Sequence, residues 1–193
     1  MSGIIELLSE LISGFVSRDA EEEYVRVAYT APATLVFLED DYVELVKGAE
    51  YNLPRWVAEL LAEKGYVKIL EEGVDAVALG RLMFNESRSR GQIKFEKLKG
   101  YFYYKVKSTI QHLLKQYKSA SNIEEIKRIS DTLSTLSSNT KNLYKIRLSK
   151  ILSLLSVQEL SPELLGNLSE EEKLLYTTLR TVLEIFDKRV FEV

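Results

Sequence analysis

Apolar and polar positions alternate over the front of the chain, with the period of two that is typical of β-strands. In residues 24–30, Val25, Val27 and Tyr29 share one side of the predicted strand, and Arg26 lies on the other. Strands are predicted over residues 24–30, 34–38, 42–46 and 66–70, with the acidic residues 39–41 as the turn of a hairpin. The front of the chain is therefore predicted to contain a small β-rich module.

Two helices accompany these strands. Apolar residues recur at helical spacing over residues 3–16, which predicts an amphipathic helix that packs against the protein or a partner. Pro54 fits the first turn of a second helix over residues 55–64, because the N–H that proline lacks would be unbonded there anyway. Gly65 is placed to end that helix, since glycine tolerates the left-handed C-cap conformation.

From residue 74 onward the period changes to that of α-helices, and prolines nearly vanish. Helices are predicted over residues 74–89, 93–118, 123–136, 143–157 and 169–189, with breaks at Gly91 and at residues 119–122. The polar residues 137–140 are expected to bend or interrupt the run. Ser169 and Glu172 form a capping-box sequence, in which a serine precedes a glutamate by three positions, at the start of the last helix.

These elements predict an α+β, predominantly α fold. Residues 1–72 are predicted to form an N-terminal helix plus a small β-rich domain, and residues 73–193 a larger C-terminal helical bundle domain. With 193 residues, of which 46% are apolar, the chain is long enough to build a hydrophobic core in such an arrangement.

Few residues of the chain could carry chemistry. The absence of cysteine excludes disulfides, thiolate nucleophiles and cysteine-bound metal sites. The one histidine, His112, lies within a predicted helix, and the nine glycines are scattered rather than gathered in a phosphate-binding loop. An enzyme would need a carboxylate site in the β-rich module, around residues 39–44. We therefore predict that the protein is not an enzyme and has no catalytic residues, cofactor or bound metal.

No apolar run approaches the roughly 20 residues that a membrane span needs. The first 18 residues carry Glu6 and Glu10 and lack the basic region of a signal peptide. We therefore expect a cytoplasmic protein without a membrane partner.

Charge is distributed unevenly along the chain. Residues 1–80 carry a net charge of −10, residues 81–150 carry +11, and residues 151–193 carry −4. Basic residues that could contact nucleic acid or a partner protein are Arg88, Arg90, Lys94, Lys97, Lys99, Lys105 and Lys107, and they surround the aromatic residues 101–104. Single-strand binders combine cations with stacking rings. One alternative is therefore a helical nucleic-acid-binding protein that uses the basic 81–150 region, and the other is solvated helix faces with aromatic rings in the core.

Several segments resemble a known family. Residues 50–61, Glu-Tyr-Asn-Leu-Pro-Arg-Trp-Val-Ala-Glu-Leu-Leu, followed by residues 65–69, Gly-Tyr-Val-Lys-Ile, resemble the small β domain of GINS subunits, where a strand leads into a Leu-Pro-aromatic-Ala helix and back to a strand. The helical half is similar to the helical domain of that family, through the Phe-Tyr element of residues 98–103, the Arg-x-x-Lys-Ile-Leu segment 147–152 and the Leu-Ser-x-Glu-Glu-x-x-Leu-Tyr segment 168–176. Here the β domain comes first, which resembles the archaeal GINS subunit of the β-first type.

The resemblance implies a non-catalytic scaffold of the replicative DNA helicase that links the MCM ring and a RecJ-like partner in DNA replication. It implies a heterotetramer of two copies of this subunit and two of its paralogue, associated with the nucleoid at replication forks. Three partners remain open for the basic middle of the chain: DNA, in a weak contact, primase, or the acidic front of a neighbouring chain. Structural roles are implied for the family-motif positions Leu53, Pro54, Trp56, Ala58, Phe102, Tyr103, Arg147, Lys150, Glu171 and Tyr176.

Overall fold

The structure is a computed structural model. It describes residues 10, 14–38, 41–70, 73–89, 93–156 and 161–191. The chain divides into two compact units, Met1–Glu72 and Gly73–Val193. Of the helix predicted over residues 3–16, only residues 10 and 14–16 are described, and they are helical; the rest lies outside the described residues.

The first unit begins with helix α1, residues 14–22, and continues into strand β1, Tyr24–Tyr29. Strand β1 is the centre of an antiparallel sheet in the order β4-β1-β5, in which β4 spans Glu50–Pro54 and β5 spans Val67–Ile69. The side of β1 that the alternation predicts to be apolar is the buried one, whereas its other side is largely exposed. Strand β4 is not among the strands predicted from the alternation, although Tyr51 and Leu53 alternate with Glu50 and Asn52 over its short span.

Strands β2, Thr34–Leu38, and β3, Asp41–Leu45, form a separate antiparallel hairpin. Val36 lies opposite Val43, and both pack against the core of the first unit. On the outer side of the hairpin, the rings of Phe37 and Tyr42 are exposed, with their centroids 5.0 Å apart. The predicted turn at residues 39–41 falls mostly on residues 39–40, outside the described residues.

Helix α2, Arg55–Glu63, follows β4 without a loop. The prediction that Pro54 occupies the first helical turn is wrong by one position, because Pro54 ends β4 and is the N-cap residue. The prediction for Gly65 is confirmed: it has a φ of +75°, its N–H donates to Ala62 O, and the next N–H, of Tyr66, donates to Leu61 O, both at 2.9 Å. This pair of bonds is the Schellman motif.

The second unit contains five helices among the described residues: α3, Ala76–Arg88; α4, Phe102–Ser119; α5, Ile123–Leu154; α6, Pro162–Gly166; and α7, Glu170–Phe191. Asp75 and Asn122 cap the first turns of α3 and α5, and their side chains accept from Ala78 N at 2.7 Å and from Glu124 N at 2.9 Å. The predicted capping box is formed in full, since Ser169 Oγ accepts from Glu172 N at 3.3 Å and Glu172 Oε2 accepts from Ser169 N at 3.1 Å.

The single helix predicted over residues 93–118 is wrong in its first third. Residues 94–99 have no regular secondary structure, and α4 begins only at Phe102. Gly100 adopts a φ of +54°, which is incompatible with a continuing helix. Leu98, which fits the helical spacing of the sequence, is buried from a non-helical segment instead, with its N–H bonded to Asn167 O at 3.1 Å.

The expected interruption at residues 137–140 is also wrong, because α5 runs through it without a break. Leu136 and Leu143, seven residues apart, are both buried in one apolar cluster with Leu79 of α3. The serines, asparagine and threonine between them are only moderately poor helix formers, and neither glycine nor proline is present. Packing of the apolar face of α5 therefore outweighs the low helix propensity of residues 137–140.

Two apolar clusters hold the second unit together. The first contains Leu79, Leu136 and Leu143, with Phe102 and Ile110 packed against it. The second contains Phe95, Ile151, Leu154, Leu168 and Tyr176. Along α5, the residues between Leu143 and Ile151 therefore lie between the two clusters, and the candidate site is found there.

Candidate functional site

Four charged side chains are buried together in the helical unit, between the two apolar clusters of α5. They are Glu86 of α3, Arg147 and Lys150 of α5, and Glu172 of α7, and each is at most 5% exposed. Arg147 and Lys150 lie three residues apart and share one face of α5. Two positive and two negative groups make this ionic cluster neutral in total. Pairing of opposite charges offsets part of the desolvation free energy that their burial costs.

Arg147 uses all five of its N–H donors. Nε and Nη2 bind the two oxygens of Glu172, both at 2.7 Å, in a bidentate pair. Nη1 donates to Glu86 Oε2 at 3.0 Å and to Glu96 O at 2.9 Å, and Nη2 also donates to Asn167 O at 3.0 Å. Arg147 thus binds α3, α7 and the two segments that precede α4 and α7.

Lys150 binds the Glu86 carboxylate at the oxygen that Arg147 does not contact. Its Nζ donates to Glu86 Oε1 at 2.6 Å, to Ser89 Oγ at 2.8 Å and to Lys94 O at 2.7 Å. Both cations lie near the ring of Phe95, at 5.0 Å for Arg147 Cζ and 5.7 Å for Lys150 Nζ, measured to the ring centroid. A cation–π contact of this kind adds to the desolvated ion pairs.

Tyr103 completes the cluster from α4, where its hydroxyl donates to Glu172 Oε1 at 2.8 Å. Burial, together with the negative charge of Glu172 and the hydrogen bond to it, raises the pKa of Tyr103 well above its ordinary value. Desolvation by itself would lower the pKa of Arg147, but the hydrogen bond to Glu172 and the charges of Glu172 and Glu86 outweigh it and raise that pKa. Both side chains therefore keep their protons across the ordinary pH range.

The family-motif positions have different environments. Arg147, Lys150 and Tyr103 belong to the ionic cluster, and Phe102 packs against the apolar cluster around Leu143. Glu171 Oε1 accepts from Tyr104 N at 3.0 Å and so caps the first turn of α4 from another helix, while its Oε2 is buried without a hydrogen-bond partner among the described residues.

The remaining motif positions lie in α7 and in the first unit. Tyr176 is buried, and its hydroxyl accepts from Arg180 Nη1 at 2.9 Å. Leu53, Pro54 and Ala58 are buried in the first unit. Trp56 differs from them, because its ring is 51% exposed and it therefore contributes little to that core.

The basic candidate residues lie on different elements of the helical unit. Lys94, Lys97 and Lys99 are exposed on the non-helical segment 93–99, whereas Lys105 and Lys107 are on α4. Arg88 is on α3, with its guanidinium carbon 5.9 Å from the ring centroid of Phe84. Arg90 lies outside the described residues. The ring of Phe102 packs against the apolar cluster around Leu143, and the hydroxyl of Tyr103 is bound to Glu172.

Glu86 and Glu172 are the two cluster members that we did not predict to be functional or structural sites. The burial of Glu86 could in principle be predicted from the sequence. Glu86 lies seven, four and three residues after Leu79, Leu82 and Met83, which places it on the apolar face of α3. A carboxylate on an apolar face indicates a buried partner. Glu172 appears in the sequence only as the second half of the capping box, and its bond to Arg147 depends on the fold.

No group of three or more acidic or histidine side chains among the described residues could hold a metal ion. His112 is exposed and its Nε2 lies 3.1 Å from Gln116 Nε2, and Glu44 is exposed on the hairpin. An open groove of about 590 Å³ between α3 and α5 is lined by Val77, Phe84 and polar residues of both helices. No described helix combines the length and apolar character of a membrane span.

The fold and the ionic cluster define a helical-bundle protein with an N-terminal β-rich unit, in which the most deeply buried charged groups bind one another and the backbone. Residues 65–191 match the Sld5 family model, described as the GINS complex protein helical bundle domain. The match covers well over half of the chain, and the chain therefore belongs to the GINS family, whose members are non-catalytic scaffold subunits in DNA replication. No curated protein matches the chain. The family resemblance and the α+β, predominantly α fold predicted from the sequence are confirmed.

Proposed function

We propose that this chain is a non-catalytic scaffold that assembles with a paralogous GINS subunit into a tetramer of two plus two chains. In that assembly it joins the MCM helicase ring and a RecJ-like partner at the replication fork, with primase as a further partner. Family membership supports the assembly with other GINS subunits. The observation that carries the proposal is an exposed apolar surface on α7.

Helix α7 is buried only near its start. Glu172 and Tyr176 are its buried residues, whereas every described residue from 181 to 191 is exposed. The exposed half includes large apolar side chains at helical spacing, which we call the α7 stripe: Val182 (58% exposed), Leu183 (42%), Phe186 (61%) and Val190 (49%). An amphipathic helix with an uncovered apolar stripe is typical of a surface that a second subunit covers.

The ionic cluster fixes the other end of this helix. Glu172, in the first turn of α7, is held by Arg147 of α5 and by Tyr103 of α4. The direction in which α7 leaves the bundle is therefore set by charge-assisted hydrogen bonds rather than by contacts along its whole length. Such anchoring presents the α7 stripe in a fixed orientation, which lowers the entropy lost when a partner binds.

Co-expression with a paralogous GINS subunit tests the assembly. The unsubstituted chain is expected to elute with the paralogue at the mass of four chains in size-exclusion chromatography with light scattering. The double substitution F186D and V190D places two charges in the α7 stripe and is expected to abolish that species. I123D is the control for one added surface carboxylate, because Ile123 is 81% exposed at the start of α5, where an acid also suits the helix dipole. Normal assembly of F186D and V190D, with helix content unchanged, would exclude the α7 stripe as the interface.

The link to other replication proteins is tested on the assembled complex. Immobilised MCM is expected to retain the RecJ-like protein only when the complex is added, because the scaffold bridges the two. Retention without the complex, or retention of neither protein with it, would contradict the linking role while leaving the assembly with the paralogue unaffected.

A further inference from the structure

Residues 93–99 form an irregular segment that is fixed at several points. Lys150 Nζ donates to Lys94 O at 2.7 Å, and Arg147 Nη1 donates to Glu96 O at 2.9 Å. Glu96 N donates to Glu86 Oε2 at 2.9 Å. Two of the four bonded backbone groups thus pair with buried cations of the ionic cluster, a third pairs with its carboxylate, and the fourth is Leu98 N, bonded to Asn167 O.

The side chains of this segment are sorted by their burial. Phe95 and Leu98 are buried, each 3% exposed, and anchor the segment in the bundle. Lys94, Lys97 and Lys99 are exposed, and we call these three side chains the lysine row. None of the three forms an ion pair with another described residue. The row is therefore an ordered display of three lysines, with Glu96 as the one acidic residue of the segment.

We propose that the lysine row is a binding site for the phosphate backbone of nucleic acid. This site goes beyond the scaffold function and does not depend on it, since it uses residues on a different part of the helical unit from the α7 stripe. Lysine binds phosphates as a point charge without regard to base sequence, so the site is a non-specific one.

The side chains around the row favour nucleic acid over an acidic protein partner. Protein interfaces are depleted in lysine and contain buried aromatic or aliphatic anchors at their centres. In the segment 93–99, the only exposed apolar side chain is Ile93, at 44%. Of the neighbouring rings, Phe102 packs against the apolar cluster around Leu143 and Tyr103 is bound to Glu172 through its hydroxyl, so neither is presented for stacking. Contacts of the lysines to phosphate oxygens are the interactions that this segment offers.

The dimensions of the row suit a single stretch of backbone. Lys94 and Lys99 are five residues apart, so their Cα atoms can be at most about 18 Å from each other. One DNA strand carries a phosphate for every ~3.4 Å of duplex axis, and three long lysine side chains can therefore reach phosphates of one strand. Fixing the backbone of the segment reduces the freedom that the lysines must lose on binding.

The expected effect is a change in salt dependence. Each phosphate contact on duplex DNA contributes about 0.9 to the slope of log affinity against log salt concentration, and on a single strand about 0.7. Replacing all three lysines by glutamine is therefore expected to reduce the slope by about 2.7 on duplex and about 2.1 on single-stranded DNA. Between about 50 and 200 mM salt, a slope difference of 2.7 corresponds to about a 40-fold difference in the loss of duplex affinity.

The experiment uses the full chain and measures fluorescence anisotropy of labelled duplex and single-stranded DNA of mixed sequence. The control is the triple substitution K127Q, K141Q and K145Q, which removes the same charge from exposed positions of α5. Circular dichroism checks that both variants keep their helix content. The control is expected to retain most of the slope that K94Q, K97Q and K99Q loses.

Three results would overturn the proposal. Equal losses in the two triple variants would show that only the net charge of the region acts on DNA. No binding of either DNA by the unsubstituted chain at about 50 mM salt would exclude the site altogether. Tighter binding of labelled polyglutamate than of DNA, with the same sensitivity to K94Q, K97Q and K99Q, would identify the row as a site for an acidic protein.

Discussion

At the scale of single residues, Arg147 determines how the helical unit is put together. Its five donors reach Glu86, Glu172 and the carbonyls of Glu96 and Asn167, so one side chain connects α3, α5, α7 and two loop segments. A lysine could not replace it, because the bidentate pair with Glu172 requires the planar fork of the guanidinium group. The buried charges thus join these elements by directional, charge-assisted hydrogen bonds.

Tyr103 makes the pH behaviour of this cluster measurable. Its pKa is raised above the ordinary tyrosine value of 10.0, so the folded protein keeps the hydroxyl proton under conditions in which the unfolded chain loses it. The hydroxyl therefore stabilises the fold fully below about pH 10, and this contribution decreases as the pH rises above that value. The direction is opposite to that of a carboxylate with a lowered pKa.

Replacing Tyr103 by phenylalanine removes the hydrogen bond to Glu172. We expect the substitution to lower the free energy of unfolding by about 1.5–3 kcal/mol near pH 7, as for other hydrogen bonds to charged groups, and by less above about pH 10. Urea denaturation of both proteins over this pH range measures the difference. Tyr117→Phe, at an exposed position of α4, is the control and is expected to change little. A deficit for Y103F that grows with alkaline pH would contradict the assignment.

At the scale of elements, local sequence and tertiary contacts decide different helix ends. The end of α2 is set locally, because Gly65 provides the left-handed residue that the Schellman motif requires. The start of α4 depends on contacts distant in sequence in addition to the positive φ of Gly100, since Glu171 caps it and the ionic cluster holds the segment before it. A helix end that neighbouring residues set can be predicted from a short stretch of sequence. A helix end that depends on distant contacts cannot.

Gly65 offers a direct test of the local kind. An alanine at this position meets no atom within 4 Å, so its effect comes only from the positive φ. We expect Gly65→Ala to lower the free energy of unfolding of the first unit by about 1 kcal/mol. Gly166→Ala, also without a close neighbour but without a positive φ, is expected to be neutral or slightly stabilising. Equal effects of the two substitutions in urea denaturation would show that the φ of Gly65 carries no strain.

At the scale of the whole molecule, the chain has two compact units with separate cores. The only tryptophan, Trp56, is on α2 in the first unit, while most of the helical residues belong to the second. Tryptophan fluorescence and far-ultraviolet circular dichroism therefore report mainly on different units. Two-state unfolding requires such probes to give coincident transitions.

We expect the two units to unfold as separate cooperative domains. Arg147→Ala leaves Glu172 and Glu86 buried with fewer partners, and removing one member of a buried ion pair typically costs about 3–5 kcal/mol. The circular-dichroism transition in urea should therefore move to lower concentration, while the Trp56 fluorescence transition stays in place. Gly65→Ala should do the reverse. Coincident shifts of both probes in both variants would show that residues 1–72 and 73–193 unfold as one unit.

The sequence by itself determined those features that depend on a few neighbouring residues. The alternation of Val25, Val27 and Tyr29 predicts β1, the Ser169–Glu172 pair predicts its own reciprocal hydrogen bonds, and Gly65 predicts the end of α2. In each case the residues that form the structure are neighbours, so their physical preferences can be read together. The family resemblance also follows from short motifs whose order is preserved.

Tertiary structure decided the features that join distant residues. Residues 94–99 have an apolar spacing that fits a helix, but the backbone groups of this segment bind the ionic cluster instead, through contacts with α3, α5 and the turn before α7. The polar residues 137–140 stay helical because Leu136 and Leu143 are buried on either side of them. A buried charge or an apolar face gains its free energy from its partner, and the fold alone determines which partner that is.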